Sequence, residues 1–240
     1  FVMSLPSGWI IDRIGYKSGI VVALALMGVG LLLFLPASII IFYPLFLFAL
    51  FVVGSGLALL QVAINPYVGA LGSPDTASSR LNLAGGFNSL ATTIAPRLGA
   101  AFIFIAAGAS AVELAHSVRM PYVILAGCAF AMAVITAFVH LPELIEKRAE
   151  NDTSGGSAWK FRHLRLGAGA IFFYVGAEVA IGSLMIAYLS QPLMGGLSHQ
   201  TAAHYVSLYW GGAMVGRFIG FAALRKVKSE NALAFVSSIA

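Results

Sequence analysis

The sequence predicts an all-α protein, a polytopic bundle of membrane-spanning helices. Three observations carry that reading. Six apolar stretches are long enough to cross a bilayer: 20–36, 43–71, 83–108, 122–141, 166–189 and 203–224. A hydrocarbon core about 30 Å thick needs about 20 apolar helical residues. The charges fall almost entirely in the gaps between these stretches. Of the whole chain, 60% is hydrophobic and 10% charged, whereas a soluble domain carries about a quarter charged residues.

Taken in order, residues 1–11 read as the tail of a helix, ended by the turn that holds Asp12, Arg13, Gly15 and Lys17. Stretch 20–36 follows, then a charge-poor gap at 36–44. In stretch 43–71, Pro66 is expected to loosen the helix over 62–65, because proline donates no backbone hydrogen bond. Arg80 precedes stretch 83–108. The gap 109–120 holds Arg119 as its only basic residue. Stretch 122–141 runs into the longest polar segment, 142–165, where Lys147, Arg148, Lys160, Arg162 and Arg165 gather around the flexible run 153–157. By composition this segment is a linker. It divides the chain into 1–141 and 166–240. Stretch 166–189, a charge-poor gap at 190–201 and stretch 203–224 come next. Arg225, Lys226 and Lys228 follow, and 231–240 reads as the start of another helix. The two ends read as cuts through helices, so the sequence reads as a segment of a longer chain.

Basic gaps alternating with charge-poor ones are the positive-inside pattern, which places the basic gaps in the cytoplasm. That pattern accounts for the net charge of +5 without a nucleic-acid partner. Cys128 is the lone cysteine, so one chain can build neither a disulfide framework nor a cysteine metal site. His116, His163 and His199 lie in or near loops, and His140 and His204 lie at span ends. None forms a metal-spaced pair, and no metal or cofactor is called for.

Gly8, Asp12, Arg13, Gly15 and Lys17 form a Gly-x-x-x-Asp-Arg-x-Gly-x-Lys run after the first partial helix. Gly212, Gly216, Arg217 and Gly220 form a weaker echo, followed by Arg225 and Lys226. The two copies lie on opposite sides of the linker, as expected of two parallel halves related by an axis along the membrane normal. The first copy resembles the loop signature of the major facilitator superfamily. Gln61, Asn65, Pro66, Arg80, Asn82, Asn88, Pro96, Tyr174, Gly176, Glu178 and Gly182, in their local contexts, are similar to the fucose–galactose–glucose permeases of that superfamily. The resemblance implies two pseudo-symmetric six-helix halves, truncated here at both ends, running from late helix two to early helix nine. It also implies a cytoplasmic gate at Gly8, Asp12, Arg13, Gly15 and Arg217. An ordinary solvated turn is the plainer reading of Asp12 and Arg13.

Polar groups inside lipid need a partner or a wet cavity. Gln61 and Asn65 are four apart and share a helical face. Amides both donate and accept, which suits sugar hydroxyls; a helix–helix clamp is the alternative. Asn88 shares its face with Gly85 and Thr92. The resemblance implies a glutamine at position 85, so the glycine removes one expected sugar contact. It also implies a titratable glutamate where Gln61 stands, so this position cannot carry a proton. Glu178 is the only acid deep in a span, with Tyr174 one turn earlier. It is a candidate for binding sugar hydroxyls, for carrying a coupling proton, or for a structural hydrogen bond. Arg97 lies opposite Asn88 around its helix and receives no assigned role. Arg217 is about two turns inside its span, and its long stem is expected to reach the cytoplasmic surface.

The leading expectation is a secondary transporter that imports a hexose or related monosaccharide across a bacterial inner membrane, coupled to a proton or sodium. Its partners are the sugar, the ion and the bilayer, and it is expected to be monomeric. The substrate site is expected at Gln61, Asn65, Asn88, Tyr174 and Glu178. Alternatives are an exporter of a drug or organic acid, and a sugar sensor that binds without transport. An enzyme would need clustered acid–base groups or a metal set, and the sequence offers neither.

Overall fold

Gly15 breaks the first helix. The computed structural model describes residues 2–103, 113, 117–142 and 158–239. Within α1 (Ser4–Ile40), Gly15 adopts φ 79° and ψ 166°, so two helical arms meet at a corner. That backbone region is open essentially to glycine alone. The first arm is the helix tail expected for 1–11, and the second carries the first full span.

A two-residue connection turns the chain into α2 (Tyr43–Ala70), antiparallel to α1. Pro44 sits in the first turn of α2, where its missing N–H leaves no ladder bond unmade. Small residues let the two backbones approach. A Cβ at Gly56 would stand 2.9 Å from the Ala23 carbonyl oxygen, and one at Gly30 would stand 2.7 Å from the Val53 amide nitrogen. Ile11, Ile20 and Ala23 of α1 bury against Leu59 and Ala63 of α2. The loosening expected before Pro66 does not occur: α2 stays helical through 62–65. Proline removes one rung of the ladder, and the rungs on either side hold the dihedrals.

A short 3-10 turn (Pro74–Thr76) leads into α3 (Ala77–Ile103). Next come α4 (Arg119–Phe138), α5 (Arg162–Leu189), α6 (His199–Ala223) and α7 (Ser229–Ile239). Helix α4 packs on α1, where Phe34 and Tyr122 stack at 4.1 Å between ring centroids. At the other end of the bundle, the Tyr67 hydroxyl donates to the Pro142 carbonyl at 3.0 Å. Ser198 caps α6 by accepting from the Thr201 amide. The charged part of the predicted linker at 143–157, His116 and the end of stretch 83–108 lie outside the described residues.

Each of the six predicted spans overlaps a helix among the described residues. Among the described residues, α1, α2, α4 and α5 are long and apolar enough to cross a membrane. Helices α3 and α6, with 27 and 25 residues, have the length but not the uniform apolarity. The reason is sequence. Helix α3 begins at Ala77, six residues before the predicted start, and carries Asn88, Ser89, Thr92, Thr93 and Arg97 within its length. These two more polar helices pack chiefly on each other.

Candidate functional site

The pairing of α3 with α6 places the site. Five neighbours along this seam run antiparallel. The buried Ser79 hydroxyl donates to the Phe221 carbonyl at 2.7 Å. Asn82 lies against Gly220, Gly85 against Arg217, Gly86 against Phe218 and Thr93 against Gly211. Phe87 meets Phe218 edge to face at 5.8 Å. Glycine on one side or the other at four of these points lets the helices sit close.

Helix α5 packs on the flank of α6. Tyr209 of α6 donates its hydroxyl to the Glu178 main-chain carbonyl at 3.3 Å. A Cβ at Gly182 would stand 2.9 Å from the Trp210 ring. This packing brings Glu178 beside Arg217, with Nη2 3.6 Å from Oε1. Tyr174, one turn earlier on α5, stands beside the Glu178 side chain. The Glu178 side chain is 13% uncovered and that of Arg217 33%.

Arg217 therefore does not run to the cytoplasmic surface as the sequence suggested. Its stem crosses Gly85 and its head meets an acid. A buried carboxylate draws an available guanidinium more strongly than an interface beyond the reach of its stem. For Glu178, the ion pair answers the need for a partner. Asn88 lies one turn beyond Gly85 on the same face, about 5–6 Å away by helical geometry. Tyr174, Glu178, Arg217, Gly85 and Asn88 thus share one neighbourhood.

Gln61 and Asn65 stand apart from it. They lie on the face of α2 turned away from α1, and other described residues leave both uncovered. No hydrogen bond or ion pair joins Gln61, Asn65 or Asn88 to one another or to Glu178 among the described residues. Arg97 is uncovered too, without such a partner among the described residues.

At the predicted cytoplasmic corner, Gly8 lies in open surroundings and Gly15 makes the turn. Arg13 lies over the Trp9 ring at 3.5 Å. Asp12 is exposed and has no ion pair among the described residues.

Two arginines have structural duties that their loop positions did not reveal. Arg80 reaches back from α3 to the end of α2. Its Nε donates to the Val68 carbonyl at 3.1 Å, its Nη2 to the Gly69 carbonyl, and its Nη1 to Ser73 and Thr76. A cation there also complements the helix dipole. Arg119 does the same at the far end of α1, donating to the Ser38 hydroxyl at 2.9 Å and its carbonyl at 3.2 Å. The readable signal is a lone arginine at the start of a helix, following a preceding helix's C-terminus in the chain.

The sequence matches the family described as Major Facilitator Superfamily over residues 1–240. A protein of Brucella abortus (biovar 1, strain 9-941) named glucose/galactose transporter is 51% identical, over all of this chain and 59% of that protein. One of Helicobacter pylori (strain J99) named putative glucose/galactose transporter is 40% identical, over 98% of this chain and 58% of that protein. A crystal structure of the Escherichia coli fucose:proton symporter superposes with a TM-score of 0.80 at 29% identity, over 98% of this chain and 62% of that one. The chain thus spans about three fifths of the length of the relatives it matches.

Proposed function

The chain belongs to the major facilitator superfamily, and we propose that the whole protein imports a hexose or related monosaccharide by alternating access. The names of the relatives favour a sugar as cargo. The similarity to a proton symporter favours coupling to a cation. The single observation that carries the reading is the pairing of Glu178 with Arg217 beside Tyr174, deep between helices of membrane-spanning length. Such groups serve hydroxyl recognition better than the binding of apolar drugs.

On this reading residues 1–141 and 166–240 belong to two halves joined by 142–165. They rock about the seam of α3 and α6, with the cargo between them at mid-depth. Tyr174, Glu178 and Asn88 contact the sugar, and Gln61 and Asn65 meet it from the uncovered face of α2. Glu178 is the acid available to a coupling proton, because Gln61 cannot titrate. Gly8, Asp12, Arg13 and Gly15 form the cytoplasmic gate, with the corner at Gly15 fixing its angle. The membrane is the bacterial inner membrane.

The test is uptake of a radiolabelled sugar panel by the complete protein in right-side-out vesicles. Accumulation of a hexose, collapsed by a proton uncoupler or by removal of sodium, supports the reading. A protein that accumulates no sugar in the panel refutes it.

A further inference from the structure

We propose that Gly85 and Arg217 act as one selectivity device: a glycine-seated guanidinium that, with Glu178, takes adjacent hydroxyls of a neutral sugar. The proposal rests on the sugar-carrier reading and adds a cargo class and two residues to it.

Four observations carry it. A Cβ at position 85 would lie 2.6 Å from Nη1 of Arg217, 3.4 Å from Cδ and 3.6 Å from Cζ. Any side chain at 85 therefore pushes the guanidinium aside. The 3.6 Å between Arg217 and Glu178 is charge contact but beyond a direct hydrogen bond. A guanidinium has five N–H donors, and no hydrogen-bond acceptor meets those of Arg217 among the described residues. The Arg217 side chain is one-third uncovered, so it is not sealed off from a cargo.

Unspent donors beside an acceptor-rich carboxylate match a vicinal diol. One hydroxyl donates to Glu178, and its neighbour accepts from Arg217. The pair carries no net charge, so it attracts neither ion class as a whole. A carboxylated cargo would bring a second negative charge beside Glu178, which costs affinity. The device thus favours a hexose over its uronic acid. Asn88, one turn from Gly85, supplies a further amide on the same side.

The experiment uses the complete protein with Gly85→Leu, Arg217→Gln and the double variant. Uptake of a hexose, its deoxy analogues and its uronic acid is measured. Each single change should raise the hexose KM roughly three- to twentyfold, the span of single polar contacts in membranes, with Vmax nearly held. The double variant should be no worse than the worse single, because both changes remove the same guanidinium from the same place. Multiplying losses, or an unchanged KM in Gly85→Leu, would overturn the device. Should Gly85→Leu fail to insert, Gly85→Ala takes its place and is held to the same criteria. If the unaltered protein takes up no sugar, the carrier reading falls and the selectivity role with it. The seat itself is then decided by melting temperatures of the same variants without sugar: sub-additive shifts uphold it, additive shifts refute it.

Discussion

Replacing Glu178 with glutamine isolates the charge in the ion pair. Glutamine keeps the volume but leaves Arg217 unpaired. At 3.6 Å, with an effective dielectric of about 20, the attraction is about 4.6 kcal/mol before desolvation is charged against it. One-third of the Arg217 side chain is uncovered, so solvent recovers part of that loss. Breaking a fully buried pair costs about 3–5 kcal/mol, whereas polar contacts measured within membranes average about 0.6 kcal/mol. Between these limits, the expected coupling is about 2 kcal/mol. The assay is unfolding of the purified complete protein by a denaturing detergent. It is run as a double-mutant cycle with Glu178→Gln and Arg217→Met. Both singles should lose stability, and the double should lose less than their sum. A coupling below about 0.5 kcal/mol would show that the two groups are neighbours without being energetic partners.

Three further outcomes follow from the arginine clamps and the corner. Arg119→Ala should destabilise by about 1–2 kcal/mol in the same unfolding assay, because the C-terminal end of α1 loses two hydrogen bonds. Arg80→Lys should cost about 1–3 kcal/mol although the charge stays, since an ammonium cannot reach Val68, Gly69 and Ser73 with the spread of a guanidinium; a lysine variant as stable as the parent would refute the clamp. Gly15→Ala should cost about 1–3 kcal/mol or straighten α1, detectable as lost stability or altered spacing of spin labels across the corner.

The sequence made the spans legible because lipid demands long apolar runs and tolerates charge in few places. Phe34, Leu59 and Ile20 could be assigned to spans without knowing their neighbours. The corner at Gly15 was legible for a related reason: two helices had to be joined by few residues, and glycine marked the joint. The pairing of Glu178 with Arg217 was harder. It joins residues 39 apart on different helices, and neither helical periodicity nor local motif encodes which flank of α6 meets α5. The clue was charge arithmetic, a lone deep acid and a deep base one helix away. The stem of Arg217 was read as reaching the surface because a residue considered alone finds water, whereas a residue in the fold finds its counter-ion. Gly85 was legible as a missing side chain, but its use as room for a neighbour required the register of α3 on α6. The effect of Pro66 on the backbone depends on the hydrogen bonds on either side, which the residue type alone does not show.

The Arg80 clamp has a mechanical consequence. Ser79 is bonded across to α6, and the next residue grips the last carbonyls of α2. Tyr67, one residue before Val68, is in turn tied to Pro142. These joints form a linkage like a crank and rod. A tilt of α3 drags the tail of α2, and that tail pulls on the chain where it leaves α4. A displacement at the seam would thereby be felt at the rim.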